Sequence, residues 1–544
     1  MTARDLLWIV PLAGLWLWLA TVSSTGLLNT DETLYVLGTD AMAKGRLTVD
    51  NGFEALGPFE ALVPYLIRIG PEGLAPQYPS GYFALAAPLF AALDIRALIL
   101  INALAAAATL FVLHASARLF TDDRRLALHA VLILGLCGFV IEYVLGVWPH
   151  ALSMLIVAVV VHLSARAVLG GTHPGRDAAL AGLVLGLGLT VRVDVVLAGP
   201  PIALWVILFA RRPLALAWPG LLGVLPGLVL AALLNEAKFG TFNPLSYGDA
   251  SGSASSTNPS RHLWLIPAGL VGLGAAFALR LPMLSRRLPW LALAGVVALA
   301  GLALALPRVA NILAGLGHGA EVLLFDLRES LDPREAIRRL DDGTVLFWGY
   351  LKKALGQSLP WLGVLVFVAL HRHAARERAW IVLLGLLALF WMLPFLRMAW
   401  HGGAGNNLRY FLPLLPWLAL LCAYGLRELS RLGARPFSVA LWALVGLGAL
   451  VVGVLIWHQQ GIALAASLQQ RLPQWLLLAL ALAGAATALV GRTRAAALAS
   501  VTAGLTVTAL ILAGVLGNLF DLSQSQRVRT YYQAREAHFA PLPA

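Results

Sequence analysis

Asp31 and Glu32 are the pair of side chains in this sequence best placed to do chemistry. They are adjacent, and they follow one long hydrophobic span near the start of the chain. A carboxylate just beyond the end of a membrane helix can be partly desolvated, which suits a general base. Two adjacent acids also suggest a metal site, although a metal would normally need further ligands. The structural alternative is a solvated helix start, with Thr30 or Asp31 as the N-cap and the acids in the first turn.

These acids open the first long polar segment, residues 29–81, which closes with Tyr78-Pro79-Ser80-Gly81. Almost everything else is apolar. We therefore expect this segment to hold the reacting groups. The remaining chain would supply the scaffold, a lipid-binding slot and the supporting charges.

The composition indicates an all-α polytopic membrane protein. The chain has 544 residues, of which 60% are hydrophobic and only 12% are charged, and its mean hydropathy is +0.81. A soluble core cannot hide so much apolar surface. The net charge of +12 would suggest nucleic acid in a soluble chain, but here basic loops that anchor helices explain it, and we expect no nucleic-acid partner. Two cysteines in apolar runs make neither a disulfide framework nor a metal cluster.

The apolar runs predict about 13 to 15 transmembrane helices. The first, 6–28, lacks a cleavage site and is interpreted as a retained helix rather than a signal peptide. The others are 97–118, 126–147, 151–169, 178–191, 195–210, 214–234, 263–280, 290–307, 359–371, 379–397, 410–427, 437–457, 475–491 and 496–516.

Gly81–Leu93 is also apolar but too short to span. Thirteen helical residues reach roughly 20 Å, less than the ~30 Å hydrocarbon core. We predict an interfacial or re-entrant helix that packs beside the Asp31 loop, within one outer unit that extends to about Arg96.

Charge predicts the orientation. Alternate short loops carry arginines, among them Arg124-Arg125, Arg211-Arg212 and Arg286-Arg287, and such loops face the cytoplasm. The N-terminus would then lie inside, and the active site would face the periplasm or exterior of an inner (plasma) membrane. The outer loops would be 29–96, 147–151, 192–194, 235–262, 308–358, 398–409, 458–474 and the tail after 517.

Two outer loops have alternative interpretations. The Gly/Ser/Asn/Pro-rich loop 235–262 is either a flap over a substrate or a plain connector. In loop 308–358, Asp332 as N-cap, Pro333 and Glu335 predict a short surface helix that turns Leu331, Ile337 and Leu340 toward the membrane. The tail after 517 is too short to be a domain. No Walker, GxGxxG, HExxH or CxxC pattern occurs.

Five short motifs, taken in order, resemble the GT-C superfamily of membrane glycosyltransferases, in particular aminoarabinose transferases and protein O-mannosyltransferases. Residues 31–35, DETLY, resemble the D-E-x-x-Y opening of the first outer loop, and residues 78–82, YPSGY, resemble the element that starts the interfacial helix. Residues 118–125 resemble the cytoplasmic turn. Asn235, Phe239-Gly240 and Tyr247 resemble N-x-x-x-F-G…Y, and residues 409–416 resemble R-Y-x-x-P-x-x-P. The resemblance covers residues 6–427.

The resemblance implies a fold with a long first outer loop, and transfer of a sugar from a polyprenyl-phosphate carrier on the outer membrane face. The base of the family matches Asp31, with Glu32 as its neighbour or acceptor-orienting partner. The leaving phosphate is already anionic, so one base and phosphate-binding cations could suffice. The partners would be the lipid-linked sugar, the bilayer and a glycan, lipid or protein acceptor. No cofactor is predicted; a divalent metal could take part, but no ligand pattern indicates one.

The candidate donor-binding cations are Arg192, Lys238 and Arg409, since Arg binds phosphate bidentately and Lys as a point charge. Interfacial snorkelling is the alternative for each, and Arg192 could simply pair with Asp194. The other candidate substrate-binding residues are His150, Tyr78, Tyr82, Tyr247, His401 and Asn407.

One position departs from the family pattern. Many relatives carry a second acid after the third span, where this chain has Trp148-Pro149-His150. His150 could hydrogen-bond a donor phosphate or, when protonated, interact with Asp31; the alternative is a helix-cap or interface histidine. Glu142 could substitute for the missing acid. The departure leaves metal dependence open.

The sequence thus predicts a catalytic module at 1–427, additional helices at 428–516 and a short outer tail at 517–544. Two rival functions remain: a transporter or flippase of a lipid-linked or anionic substrate, and a non-catalytic membrane subunit. Charges at the outer boundary, rather than at mid-membrane, favour the interfacial enzyme.

Overall fold

The computed structural model describes residues 3–49, 66–248, 301–330, 337–341, 343–435, 465–490 and 492–539, with a few further residues between 274 and 297 and between 445 and 453. Most of the predicted spans 263–280, 290–307 and 437–457, and the Gly/Ser-rich part of loop 235–262, fall outside the described residues.

The described chain is mostly helical, which confirms the predicted class. The helices are α1 Ala3–Val22, α2 Thr30–Ala43, α3 Gly81–Leu93, α4 Ile95–Phe120, α5 Arg124–Cys137, α6 Val140–Val144, α7 His150–Leu169, α8 Pro174–Leu189, α9 Gly199–Phe209, α10 Pro213–Phe239, α11 Pro307–Leu324, α12 Leu355–Ser358, α13 Val364–Leu370, α14 Ala375–Met398, α15 Leu415–Arg431, α16 Leu472–Leu489, α17 Arg492–Ile511 and α18 Asn518–Phe539. Short 3₁₀ segments precede α9, α13 and α15.

Within the described residues, eight helical segments are long and apolar enough to cross a membrane, and three shorter apolar helical segments accompany them. Gly81–Leu93 is one of the short ones, in line with its exclusion from the spans. Small residues allow helices α8 and α10 to pack closely: a Cβ on Gly186 would clash with the backbone of Val224, and one on Gly223 with that of Ala179.

In the part of the chain that the structure describes, two small antiparallel sheets lie between helices. Strands β1 Ile67–Gly70 and β2 Gly73–Pro76 form a hairpin in the first loop. Strands β3 Ile337–Arg339, β4 Val345–Phe347 and β5 Tyr350–Leu351 pair in the order β3-β4-β5. The predicted surface helix around 332–340 is therefore wrong where it is described, because residues 337–339 pair as an edge strand with β4.

Three further boundaries differ from the prediction. The run 126–147 is not one span: α5 ends at Cys137, Gly138 is extended, and α6 is a separate short helix that contains the buried Glu142. The predicted outer loop 308–358 begins with the 18-residue helix α11. The described part of the tail after 517 is the 22-residue helix α18, which packs against α6.

Polar side chains gather at two opposite ends of the helices. At one end, Arg124 binds Asp5 at 2.5 Å, which joins the start of α5 to the start of α1. Arg427 of α15 donates to Thr121 Oγ1, just after α4, at 2.7 Å. The other end is where α1 ends, α4 begins and the 3₁₀ turn before α15 starts at Arg409. The candidate site lies at this second end.

Candidate active site

A cavity of about 670 Å³ occupies the second end of the helix assembly. The first loop, the junction of α6 and α7, the β4–β5 hairpin, the 400–410 loop and α18 contribute its wall. Seven of the predicted site residues line it: Asp31, Tyr78, His150, Arg192, Tyr247, His401 and Arg409. Glu32, Tyr82, Lys238 and Asn407 do not, although all four lie close behind the wall.

Asp31 and Arg409 form an ion pair in the wall of this cavity. Arg409 Nη2 lies 2.6 Å from Asp31 Oδ2. Asp31 is in the first turn of α2 because the Asn29 side chain caps the helix and accepts from Glu32 N at 3.1 Å. The Asp31 side chain keeps 19% of its surface exposed, whereas that of Glu32 keeps none. Of the two acids, Asp31 alone can meet a substrate in the cavity.

Arg409 presents unused donors. Its Nε and Nη1 are buried and contact no acceptor among the described residues. The guanidinium lies over Trp148, 5.1 Å from the ring centroid, and 5.3 Å from that of Tyr410. Burying guanidinium donors without acceptors is costly, so this arrangement favours an anionic ligand at the cavity.

Arg192 and His150 lie on the same wall. Arg192 binds Asp194 through both carboxylate oxygens at 2.8 to 3.1 Å, as the pairing alternative predicted, and its guanidinium lies 5.5 Å from the Tyr410 ring. His150 is buried at the N-terminus of α7, its ring edge-on to Tyr410, and its Nδ1 has no partner in the described chain. Both residues can therefore reach a ligand held by Arg409.

Tyr35 and Tyr78 make an aromatic floor. Their rings stack with centroids 4.6 Å apart and an angle of 15° between the planes. Burial raises the pKa of both phenols, so they stay neutral. Tyr82 is fully buried below them and donates its hydroxyl to the Val147 carbonyl at 3.0 Å. The Tyr82 hydroxyl, which was predicted to bind substrate, thus makes an internal hydrogen bond instead.

Lys238 and Glu32 are also committed to internal partners. Lys238 Nζ donates to the Tyr78 carbonyl at 2.6 Å, so it supports the aromatic floor from behind instead of facing the cavity. Glu32 is turned away from Asp31 because successive residues of a helix point about 100° apart. It is paired with Arg529 of α18, with Nη2 and Oε1 2.5 Å apart.

Asn407 belongs to a buried polar network behind the cavity. Its Nδ2 donates to Glu142 Oε2 and to Asp521 Oδ2, both at 2.6 Å. Lys353 Nζ binds both oxygens of Asp521 at 2.7 and 2.8 Å. Burial raises the pKa of the Glu142 carboxyl above its ordinary 4.5, and the charge of Asp521 acts in the same direction.

Lys352 holds the glycine-rich loop before Arg409. Its Nζ donates to the carbonyls of Gly403, Gly405 and Asn407 at 2.7, 2.8 and 3.2 Å. Sequence reasoning missed this lysine; the only signal was a Lys-Lys pair beside an apolar run.

The β4–β5 hairpin supplies an unexpected aromatic side chain at the cavity. Trp348 and Gly349 form its two-residue turn, with φ of 50° and 82°. Two positive φ values are typical of a type I′ turn, in which Asn and Gly are preferred and a bulky residue is disfavoured. Trp348 is 71% exposed and lines the cavity. An exposed ring held in an unfavourable conformation suggests a binding role.

The C-terminal tail is part of the site. Val528 and Tyr532 of α18 line the cavity. Sequence reasoning treated this segment as a short outer tail, because its polar composition and position after the last apolar run gave no sign of a contact with the first loop. Among the described residues, no group of three or more His, Cys, Asp or Glu side chains converges as a metal site.

Comparisons with known proteins give two sequence-family matches. The profile of the dolichyl-phosphate-mannose-protein mannosyltransferases matches residues 80–234, and that of the bacterial membrane protein YfhO matches residues 354–538. A comparison with curated proteins gives no match.

The comparison with solved structures gives matches that include two proteins. ArnT from Cupriavidus metallidurans, bound to undecaprenyl phosphate, has a TM-score of 0.43 at 13% identity over 99% of this chain and 80% of its own. The oligosaccharyltransferase AglB from Archaeoglobus fulgidus, in complex with an inhibitory peptide and a dolichol-phosphate, has a TM-score of 0.44 at 13% identity over 89% of this chain and 56% of its own. The chain therefore spans little more than half the length of the archaeal enzyme.

The mannosyltransferase match begins at Ser80 in the YPSGY motif and ends just before Asn235, so it contains α3, the turn after α4, His150 and Arg192. It confirms, for residues 80–234, the resemblance to the protein mannosyltransferases that was predicted from the short motifs.

Proposed function

We propose that this protein transfers a sugar from a polyprenyl-phosphate donor to an acceptor hydroxyl at the outer face of the membrane. The observation that carries the proposal is the Asp31–Arg409 pair at the cavity wall, in which one partner can accept a proton and the other offers unused donors to a phosphate. The lipid-linked donor of the proposal agrees with the family description and with the polyprenyl phosphates in both ArnT and AglB.

Asp31 acts as the general base. As the acceptor oxygen attacks the anomeric carbon, its proton moves to the Asp31 carboxylate. The bond between the anomeric carbon and the phosphate oxygen breaks, and the polyprenyl phosphate leaves with the electron pair. Attack from the side opposite the phosphate inverts the anomeric configuration. The leaving phosphate needs no proton at neutral pH, so no second acid is required.

Arg409 binds the donor phosphate. Its Nε and Nη1 lack acceptors, and a phosphate that takes them would compete with Asp31 for the guanidinium and leave the carboxylate free to meet the acceptor. Arg192 and His150, on the same wall, are placed to contact the remaining phosphate oxygens. Stabilising charge at the leaving group in a site closed to bulk water lowers the barrier strongly.

The orientation follows from the two polar ends of the assembly. The end that gathers Arg118, Arg124, Arg376 and Arg427 faces the cytoplasm, because basic residues are enriched on that side. The opposite end, with the cavity, then faces the exterior or periplasm, and the N-terminus lies inside. A lipid carrier would enter with its phosphate at the boundary between the hydrocarbon and the outer headgroups.

A panel assay tests the proposal. The purified protein is incubated with radiolabelled polyprenyl-phosphate sugars and extracted membrane acceptors, with and without EDTA. Transfer of label into an acceptor, with release of polyprenyl phosphate, supports the proposal. Movement of intact lipid-linked sugar across a vesicle membrane without release would favour the transporter alternative and contradict it. The EDTA arm decides whether a divalent metal takes part.

A further inference from the structure

The C-terminal helix α18 contacts both chain segments that carry the candidate catalytic pair. Arg529 of α18 binds Glu32, next to the candidate base, and Asp521 of α18 binds Asn407, two residues before Arg409. The two partners of the catalytic pair are 378 residues apart in sequence. A single helix therefore bridges the two segments that must meet for the pair to form.

The contact with the first loop is buried and has several hydrogen bonds. Arg529 Nη2 and Nη1 lie 2.5 and 3.0 Å from the two Glu32 oxygens, and Nη1 also donates to the Gly26 carbonyl at 2.8 Å. Glu32 Oε2 in turn accepts from Leu28 N at 2.6 Å. Arg529 is 1% exposed and Glu32 is 0% exposed. These bonds fix the chain on both sides of the α2 N-cap, and thus the direction in which Asp31 points.

The Arg529 guanidinium also supports Arg409, through the ring of Trp148. Arg529 lies 5.6 Å from the centroid of Trp148, and Arg409 lies 5.1 Å from the same centroid. Trp148 is itself buried between α6 and α7. Arg529 therefore touches a support of each member of the catalytic pair, and it reaches neither Asp31 nor Arg409 directly.

Backbone packing shows that α18 is docked closely against the first loop. A Cβ on Gly26 would clash with the carbonyl of Arg529, so this contact requires glycine. Ser24 N donates to Gln526 Oε1 at 3.0 Å, and Ser24 Oγ donates to Gln533 Oε1 at 2.7 Å. The register of α18 against residues 24–29 is thus set by contacts on both sides of Arg529.

We propose that Arg529 is a positioning residue for the transfer reaction, which holds Glu32 and Trp148 so that Asp31 and Arg409 keep their geometry. The inference rests on the proposed function and assigns a role to the C-terminal helix. A displacement of about 1 Å at a reacting group costs about 10²-fold in rate, so the loss should fall on kcat. The donor KM should change less than kcat, because Arg529 does not contact the donor itself and acts on Arg409 only through Trp148.

Three variants test the proposal. Arg529→Met removes the guanidinium and leaves the buried Glu32 carboxylate without its counter-charge, which destabilises the fold by itself. The double variant Arg529→Met with Glu32→Gln removes both charges and avoids that cost. Arg527→Met changes the same residue type two positions earlier on the exposed face of α18, and serves as the matched control.

Two readouts separate this inference from the proposed function. With the lipid-linked sugar that the wild type uses, we expect the double variant to keep its thermal midpoint, to lose about 10²-fold in kcat and to keep donor KM within about threefold. Amide hydrogen exchange over residues 26–36 should rise in the Arg529 variants and stay unchanged in Arg527→Met. If the wild type transfers no sugar, the proposed function fails, whereas the exchange measurement still decides whether Arg529 holds the loop.

The proposal is overturned by a folded double variant with wild-type kcat, by a loss that lies entirely in KM, or by unchanged exchange over residues 26–36. If Arg529→Met alone fails to fold, the double variant decides. If the double variant fails as well, Arg529→Lys decides: it keeps the charge but not the paired hydrogen bonds, so undiminished kcat there also overturns the proposal.

Discussion

Arg409 Nη2 lies 2.6 Å from Asp31 Oδ2, and this contact joins the first loop to a segment 378 residues later. The contact pairs the candidate general base with the residue proposed to bind the donor phosphate. Each residue can be tested by a substitution that leaves the other in place. The pair also explains why the two residues lie at opposite ends of the predicted catalytic module in sequence and still belong to one site.

Asp31→Asn should abolish sugar transfer while the protein folds and still binds the donor. Asn cannot accept the acceptor proton, and loss of a general base costs about 10²–10⁴-fold in rate. The measurements are single-turnover transfer and binding of polyprenyl phosphate. Asp40→Asn, an exposed acid on the same helix that pairs with Lys44, is the control and should keep full activity. Near-normal turnover of Asp31→Asn would remove Asp31 as the base.

Arg409→Lys should lower both donor binding and kcat, because an ammonium cannot reproduce the fork of donors that the buried guanidinium presents. The expected loss in kcat is about 10²–10³-fold, the scale measured when one donor to a developing negative charge is removed. Arg397→Lys, on the exposed face at the end of α14, is the matched control. A variant that binds polyprenyl phosphate and turns over like the wild type would show that Arg409 is structural.

Local patterns predicted the helix start at Asp31, the short helix α3 and several of the long helices, because each depends on residues that are neighbours in sequence. Helix α4, for example, departs from its predicted bounds by only two residues at each end. Partners supplied from far away could not be predicted in this way. The pairing of Glu32 with Arg529 needs a docked C-terminal helix, and nothing in the polar sequence after residue 517 indicates where it docks.

The misplaced elements have a similar cause. The run 126–147 satisfies the hydrophobic criterion for a span, but Gly138 breaks it, and Glu142 is stabilised by Asn406 and Asn407 from a distant loop. The sequence at 337–339 carries acceptable helix residues, yet pairing with β4 gives these residues strand structure. In both cases tertiary contacts outweigh local preference.

Glu142→Gln should change how stability depends on pH. The folded-state pKa of Glu142 lies above its ordinary 4.5, so the folded protein binds this proton more tightly than the unfolded chain does. The contribution to stability is therefore full below about pH 4.5 and is lost as pH rises toward the folded-state pKa.

Thermal unfolding of wild type and Glu142→Gln between pH 5 and 8 measures this effect. The difference in midpoint, wild type minus variant, should decrease as pH rises, since the glutamine has no proton to lose. Glu236→Gln, the same change at an exposed position of α10, is the matched control. A pH-independent difference for Glu142→Gln would contradict the prediction.

Trp348→Asn should raise the stability of the hairpin and raise the KM of the substrate. Trp348 has a φ of 50°, where a bulky residue costs about 1 kcal/mol and Asn is well tolerated. Removal of the exposed ring should raise the KM of the substrate that stacks on it about tenfold, equivalent to about 1.4 kcal/mol, and leave kcat within about twofold.

Trp348→Ala loses the ring without relief of the backbone, so it should match Trp348→Asn in KM but not in thermal midpoint. Trp18→Ala, another exposed ring, lies outside the cavity and should change neither KM nor kcat. An unchanged KM in both Trp348 variants would show that the strained turn serves the fold or the membrane contact and not the substrate.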